Sequence, residues 1–421
     1  MPFFSRLPQY SQINEQCISP YFPPGSDVNL KRLAARHQAK YMMSTSTITS
    51  LLSHLYYMIA NFKSPHFSGL SKAYDNEPLK FMVSQRKPNT VFLRQLKTED
   101  SRELYAIDSD AGFGEPSNTV LLKMGKYMEK MFTTDADYFN DYYVLDLNTN
   151  KPRIDMTPEM IEELREEDYF RYMMVGKMFL RSQIDCRGQD EEGNPIVFEL
   201  KTRATAPLRY DIANYIDFLD YSIIKCKGQH SSFEREFYDL VRGGFLKYIM
   251  QMKIGRMQGA AIAYHNTQKV FGFEYIKLEQ MENRVFGCSE FSDVVFDKSL
   301  AMLEKIFDHI LEDQYVMEEA NSGSDSNQKV FRIGFYASES QRTLEVMVEI
   351  FENDVLYQAR YADQFRPEYM KDPIDFYLMN KIVPKVVKYN VGIYPVLNGL
   401  FVDHSPILYE TGDHLDVKYT I

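Results

Sequence analysis

Tryptophan is absent from this 421-residue chain, and cysteine is scarce, with only Cys17, Cys186, Cys226 and Cys288. None of the four has C-x-x-C or other paired spacing, which argues against a disulfide framework or a cysteine-based zinc site and points to a reducing compartment. No apolar run approaches the ~20 residues a membrane-spanning helix needs, so no integral membrane protein is expected, while peripheral attachment stays open. Positive charge is not in excess either: the formal net charge is −11, which argues against indiscriminate adhesion to nucleic acid. Met1 to Pro20 holds one Arg and one Glu, so no arginine-rich, acid-poor leader is visible there. No internal repeat is apparent.

What is present is a pattern of acids around a turn. Phe179 to Asp185 and Ile196 to Thr202 are apolar, strand-like segments, and the Asp190 to Pro195 stretch between them is rich in turn formers. Read as a hairpin, they bring Asp185 beside Glu199. Strand side chains alternate between faces, so Glu199 and Lys201 project together while Ile196, Phe198 and Leu200 are expected to point the other way into a core. Two carboxylates forced together repel, and a divalent cation relieves the repulsion. Carboxylate oxygens with room for water suit Mg2+ or Mn2+, whereas zinc would want more Cys or His than Cys186 alone. Such an ion would polarise a phosphoryl oxygen and activate a water, with Lys201 holding the water or screening charge at phosphorus. The alternative is an exposed hairpin in which Glu199 and Lys201 form an ordinary surface pair.

The flanking segments add further candidates. Ser231-Ser232-Phe233-Glu234 has capping-box spacing, and Phe237, Leu240, Val241, Ile249 and Met252 follow at helical intervals, with a break expected at Gly243-Gly244. Tyr248 and Gln251, three residues apart, share a face of that helix, although Tyr248 could equally be a core aromatic. A buried strand is expected at Ala260 to Tyr264. Upstream, Thr119 to Met131 reads as an amphipathic helix with a Gly125-x-x-x-Glu129 step. Glu129 could supply a third carboxylate, with Glu162, Glu163, Glu166 and Glu167 as its rivals.

The order helix with Glu, strands, strand with Asp, strand with Glu-x-Lys, helix with Tyr-x-x-Gln, strand resembles the PD-(D/E)XK nuclease superfamily, and the two helix patterns look like its phage-type exonuclease branch. Longer segments are similar to the fungal-type mitochondrial RNA-degradation family: Lys40-Tyr41 to Ser46, Glu129 to Thr134, Phe179 to Cys186, Glu199 to Ala204, and Ile254-Gly255-Arg256-Met257 with Ala263 to Thr267. This resemblance spans roughly residues 20 to 310. It implies an α/β fold with a mixed sheet and a restriction-endonuclease-like αβββαβ core. It also implies a 5′-to-3′ exoribonuclease of mitochondria, with single-stranded RNA as partner beside other RNA-decay or transcription proteins. Carried over residue by residue, Asp185, Glu199 and Glu129 would hold the metal, Lys201 would be the catalytic lysine, and Gln251 and Tyr248 would line the site. A DNA exonuclease of the same superfamily and a catalytically silent RNA-binding scaffold are the alternatives.

The resemblance implies a nuclease core at 111–315, preceded by an N-terminal extension (1–110); composition marks a flexible connector (316–328), and a C-terminal α/β extension (329–421) follows. In the extension, helices are expected at Gln341 to Phe351 and Asp375 to Lys388, and a turn upstream at Asp110 to Gly114. From Lys201 to Arg256 ten Lys and Arg face six Asp and Glu, and from Lys80 to Arg102 six face two, each a net of +4. Arg203, Arg209, Arg235, Lys253 and Arg256 are therefore candidate RNA contacts. The 30 Tyr and 29 Phe offer faces on which bases could stack, though most must be core.

Overall fold

The computed structural model describes residues 7–18, 22–98, 102–110, 118–166, 169–190, 192–321, 329–351, 384–403 and 405–421. The chain begins with α1 (Val28–Arg36), β1 (Tyr41–Ser44), α2 (Thr45–Ile59), β2 (Asn89–Leu96) and β3 (Leu104–Ser109). Its middle holds α3 (Asn118–Thr133), α4 (Ala136–Tyr142), α5 (Pro158–Glu166), β4 (Tyr169–Val175), β5 (Met178–Ile184), β6 (Cys186–Gln189) and β7 (Pro195–Ala204). Then come α6 (Ala206–Tyr210), α7 (Phe233–Gly243), α8 (Phe245–Gly255), β8 (Gly259–His265), β9 (Val270–Lys277), α9 (Leu278–Val285), α10 (Ser289–Glu312) and α11 (Gln314–Asn321). The chain closes with β10 (Val330–Ser338), β11 (Thr343–Ile350), β12 (Lys385–Leu397), β13 (Leu400–Phe401) and β14 (Leu415–Thr420).

Two mixed sheets result. The larger has the order β13-β12-β11-β10-β2-β3-β1-β5-β4, with β14 also paired to β12, and the smaller has the order β6-β7-β8-β9. Parallel pairs join β1 to β3 and β5, and β7 to β8. Strands from the N-terminal, middle and C-terminal stretches thus share one hydrogen-bonded sheet, and one apolar core runs through all three. At the centre of that core lies α2. Leu51, Leu52, Leu55, Met58 and Ile59, the apolar residues of its sequence pattern, are all buried, and so is most of its circumference. A helix apolar on every side has to be enclosed.

The expected helix break occurs at the two glycines: α7 ends at Gly243 and α8 begins at Phe245. Ser232 caps α7 by accepting the Arg235 N–H over 3.0 Å. The turn between β6 and β7 is closed by Asp190, whose carboxylate accepts N–H groups from Glu192 at 3.1 Å and Asn194 at 2.7 Å. Gly193 supplies the left-handed residue, at φ +84°.

The C-terminal stretch differs from expectation. Residues 343–350, read as part of a helix, form strand β11, whose burial alternates along its length and which pairs on both edges. Leu344, Val346, Val348 and Ile350 face the core every second residue, and that period of two decides for a strand. Lys385 to Lys388, expected to end a helix, begin β12. Residues 375–383 of that helix and residues 111–114 of the expected turn lie outside the described residues. The connector is partly helical, since α11 continues to Asn321.

Candidate active site

Asp185 stands where the chain leaves one sheet for the other. The large sheet ends at Ile184, and Cys186 already pairs with Phe198 in the small one. Released from both ladders, the Asp185 side chain turns back, and its Oδ2 accepts the Leu200 N–H over 3.0 Å. This bond fixes it beside the next residue of interest, Glu199. Lys201 Nζ donates to Glu199 Oε1, and Gln251 Nε2 donates to the same oxygen over 2.6 Å. The Tyr248 ring centroid lies 5.9 Å from Lys201 Nζ. The hairpin and the α8 face therefore converge as their spacing suggested.

Burial on β7 differs from the expected alternation. Leu200 is buried, but Ile196 and Phe198 are half-exposed, while Val197, on the Glu199 face, enters the core. The cause is that α8 covers the acid-bearing face: Val197 packs in one cluster with Ile249 and Met250. On the other side Phe198 meets the edge of Tyr275, with ring centroids 5.8 Å apart.

Glu199 is 0% exposed, and its Oε2 is buried with no hydrogen-bond partner. Burial, against the opposing pull of Lys201 and with a further push from Asp185, raises its carboxyl to about 8. For Lys201 burial acts downward, but Glu199, Asp185 and Glu129 outweigh it and raise the ammonium above its usual range. The Cys186 thiol is pushed up to about 12 by burial and by the same three carboxylates.

A cavity of about 990 Å³ opens over this cluster. Glu129 lines it together with Asp185, Glu199, Lys201 and Gln251. Helix α3 comes close enough to deliver Glu129 because Gly125 lacks a side chain: a Cβ there would lie 3.2 Å from Thr202 Oγ1. Of the rival acids, Glu163 is exposed on α5; Glu167 and the side chains of Glu162 and Glu166 lie outside the described residues. Among the described residues, no group of three or more His, Cys, Asp or Glu is disposed to hold a metal ion. The donors at hand are the carboxylates of Asp185 and Glu199. All are oxygens, and the orphaned buried Glu199 Oε2 is the kind of atom a hard cation satisfies, so the set fits Mg2+ or Mn2+ with remaining positions left to water and substrate.

Of the five candidate RNA-contacting cations, three are committed inside the fold. Arg209 pairs with Glu236 and Asp239, Arg235 with Asp239, and Lys253 with Glu282 and Asp293. The acids that hold Arg209 and Lys253 lie on other helices, where sequence spacing could not reveal the pairing, whereas Arg235 and Asp239 are four apart on α7 and their spacing was readable. Arg203 is drawn below its ordinary range by burial and by Arg209, and its Nε has no partner. Arg256, in a left-handed C-cap at φ 50°, is exposed. In the second basic stretch Arg86 pairs with Glu339 and Arg94 with Asp108. The sequence reading missed the opposite wall of the cavity, which Tyr169, Phe170, Arg181 and Gln183 form with the first turn of α2. The aromatic alternation of β4 was the available signal.

Residues 21–308 match the family model described as mitochondrial protein Pet127. The chain is 35% identical over 317 residues to the mitochondrial mRNA degradation protein pet127 of Schizosaccharomyces pombe, an alignment covering 73% of this chain and 56% of that protein. It is 29% identical over 286 residues to the putative mitochondrial translation system component PET127 of Saccharomyces cerevisiae, covering 66% of this chain and 32% of that protein. The chain thus spans about half and about a third of the length of these two relatives. Among solved structures, the crystal structure of Scheffersomyces stipitis Rai1 is similar at 13% identity and a TM-score of 0.33, covering 86% of this chain and 84% of that one.

Proposed function

This chain belongs to the Pet127 family of mitochondrial proteins, and on that premise we propose that it is a metal-dependent 5′-to-3′ exoribonuclease acting on single-stranded RNA in mitochondrial RNA processing and degradation. The observation that carries the reading is Glu199: a fully buried acid with an orphaned oxygen, set beside Asp185 and Lys201 on the wall of a large open cavity. A fold does not retain such a charge cluster for stability, because burying unsatisfied carboxylate costs free energy.

In this reading Asp185 and Glu199 would hold a divalent ion, and Glu129 lines the same cavity. When bound, the ion polarises a phosphoryl oxygen of the substrate and offsets negative charge at phosphorus. The chain itself supplies the rest. The Leu200 N–H and Gln251 hold the two carboxylates in place, so they need not reorganise as charge develops. Lys201, partly open to the cavity, keeps its ammonium where it can donate to an attacking water or to a non-bridging oxygen. The Tyr248 ring lies near this ammonium, its centroid 5.9 Å from Nζ.

Digestion of end-labelled RNA, with parallel DNA of the same sequence, tests the proposal. Activity should require Mg2+ or Mn2+, vanish with chelator, and fall by about 10² or more in Asp185→Asn, Glu199→Gln and Lys201→Ala. Full activity in these variants would sink it. Preference for DNA would transfer the site to a DNA exonuclease. RNA binding without cleavage in any metal would leave a silent scaffold.

A further inference from the structure

Strand β4 is the outermost strand of the large sheet, and its outer edge has no pairing strand among the described residues. Phe170, Tyr172 and Met174 lie on one of its faces, opposite Gln183, Arg181 and Phe179 of β5. Phe170 lines the catalytic cavity, and the Arg181 guanidinium sits 4.7 Å over its ring. Arg181 is itself fixed by Asp27 and by the Phe22 carbonyl at 3.0 Å. Farther from the cavity, Tyr172 stacks on Phe179 with centroids 5.8 Å apart and rings 19° from parallel. Phe179 stacks in turn on His37 at 5.4 Å and 14°. Same-face neighbours on a strand are roughly 7 Å apart, so Phe170 and Tyr172 form the start of a path leading out of the cavity.

Beside this path runs α1. Its buried face, Leu30 and Ala34, packs with Phe179, which leaves Arg32 and Arg36 in solvent on the other side. Residues four apart on a helix share a face, so the two guanidinium groups line up. The helix carries Lys31, Arg32 and Arg36 and no acid. None of the three cations has an anionic partner among the described residues. On a chain of net charge −11, cations left without acids stand out from those committed to the fold. Aromatic rings open to solvent, with unpaired cations on the helix that packs next to them, are what single-strand binders use: the rings stack bases and the cations follow the phosphates.

We propose that the β4 edge and α1 together form the track for the single-stranded RNA that trails from the end held in the cavity. The track rests on the reading of that cavity as the nuclease site. Tyr172 and Phe170 stack bases, and Arg32 and Arg36 contact backbone phosphates.

The experiment uses the full chain carrying Asp185→Asn and measures fluorescence anisotropy with a 20-nucleotide uridine-rich RNA and a trinucleotide, at several salt concentrations. Tyr172→Ala should weaken binding of the 20-mer about tenfold, with a smaller loss for the trinucleotide, while Tyr172→Phe keeps it. The Arg32→Ala/Arg36→Ala pair should weaken it similarly and make the salt dependence shallower by about 1.4 in log–log slope. All four substituted side chains are at least partly exposed, and thermal melting confirms that each variant is folded. Unchanged affinity and slope for the 20-mer in both variants would overturn the track and leave β4 as an edge for pairing with another protein strand. Cleavage persisting in the Asp185→Asn chain would count against the nuclease site alone, because the track is read by binding.

Discussion

Gln251 reaches from the middle of α8 to Glu199 on β7, its Nε2 donating to Oε1 over 2.6 Å. The two residues are 52 positions apart in the chain. Since Lys201 donates to the same oxygen, Oε1 is doubly held and Oε2 is left buried without a hydrogen-bond partner. Gln251 thus aims a carboxylate rather than reacting.

Replacing Gln251 with Ala should lower kcat/KM on RNA by about tenfold or more, the cost of a hydrogen bond to a charged group. Gln251→Glu should be worse, because it places a second anion against a buried acid. Steady-state cleavage of labelled RNA over a metal titration checks this. Gln251→Ala should need more metal for half-maximal activity, which a purely structural role would not cause.

Arg209 ties α6 to α7 through Glu236 and Asp239, both fully buried, while Glu236 Oε1 also accepts the Ala206 N–H at 2.8 Å. Arg209→Ala would leave Glu236 buried without its cation and Asp239 with Arg235 alone, and denaturant unfolding should register a loss of about 3–5 kcal/mol. Arg209→Lys should recover only part of it, because one ammonium cannot match the fork that engages both acids. A loss of RNA affinity without loss of stability would contradict this assignment.

His54, buried in α2, accepts the Ala337 N–H at Nδ1 over 3.2 Å and meets the Lys87 carbonyl from Nε2 at 3.1 Å. The proton therefore sits on Nε2. Burial, and secondarily Lys247, lower its pKa to about 4 against the partial support of the Lys87 carbonyl. On acidification the unfolded chain takes up this proton first, near pH 6.5, so stability is lost as pH falls from about 6.5 through 4. The contribution is on the order of 3 kcal/mol. Unfolding free energies from pH 7.5 to 4 should fall less steeply for His54→Asn than for the natural chain, and equal slopes would contradict it.

The candidate site was legible wherever its members were close in sequence or periodic. The turn at Asp190 to Asn194 set the hairpin, period two put Glu199 and Lys201 together, and period 3.6 put Tyr248 and Gln251 on one face. Arg209 and Lys253 were misleading for the opposite reason: their acidic partners lie on other helices, and only packing joins them, whereas the partner of Arg235, Asp239, stands four residues on along α7. The helix read at Gln341 to Phe351 was decided by its neighbours. Paired on one side by β10 and on the other by β12, the segment has its backbone hydrogen bonds satisfied as a strand.

By itself the sequence determined the pieces: which segments alternate, which wind, where glycine breaks a helix, and that two acids and a lysine meet across a turn. The tertiary structure alone decided that Asp185 falls at the passage between two sheets, that Glu199 is sealed from water, and that Gly125 lets α3 bring Glu129 to the same cavity. It also decided that β4 is left at an edge beside a basic helix. Local propensity acts over a few residues, whereas burial and sheet order depend on every element that packs at once, and the charge state and accessibility of a site follow from burial.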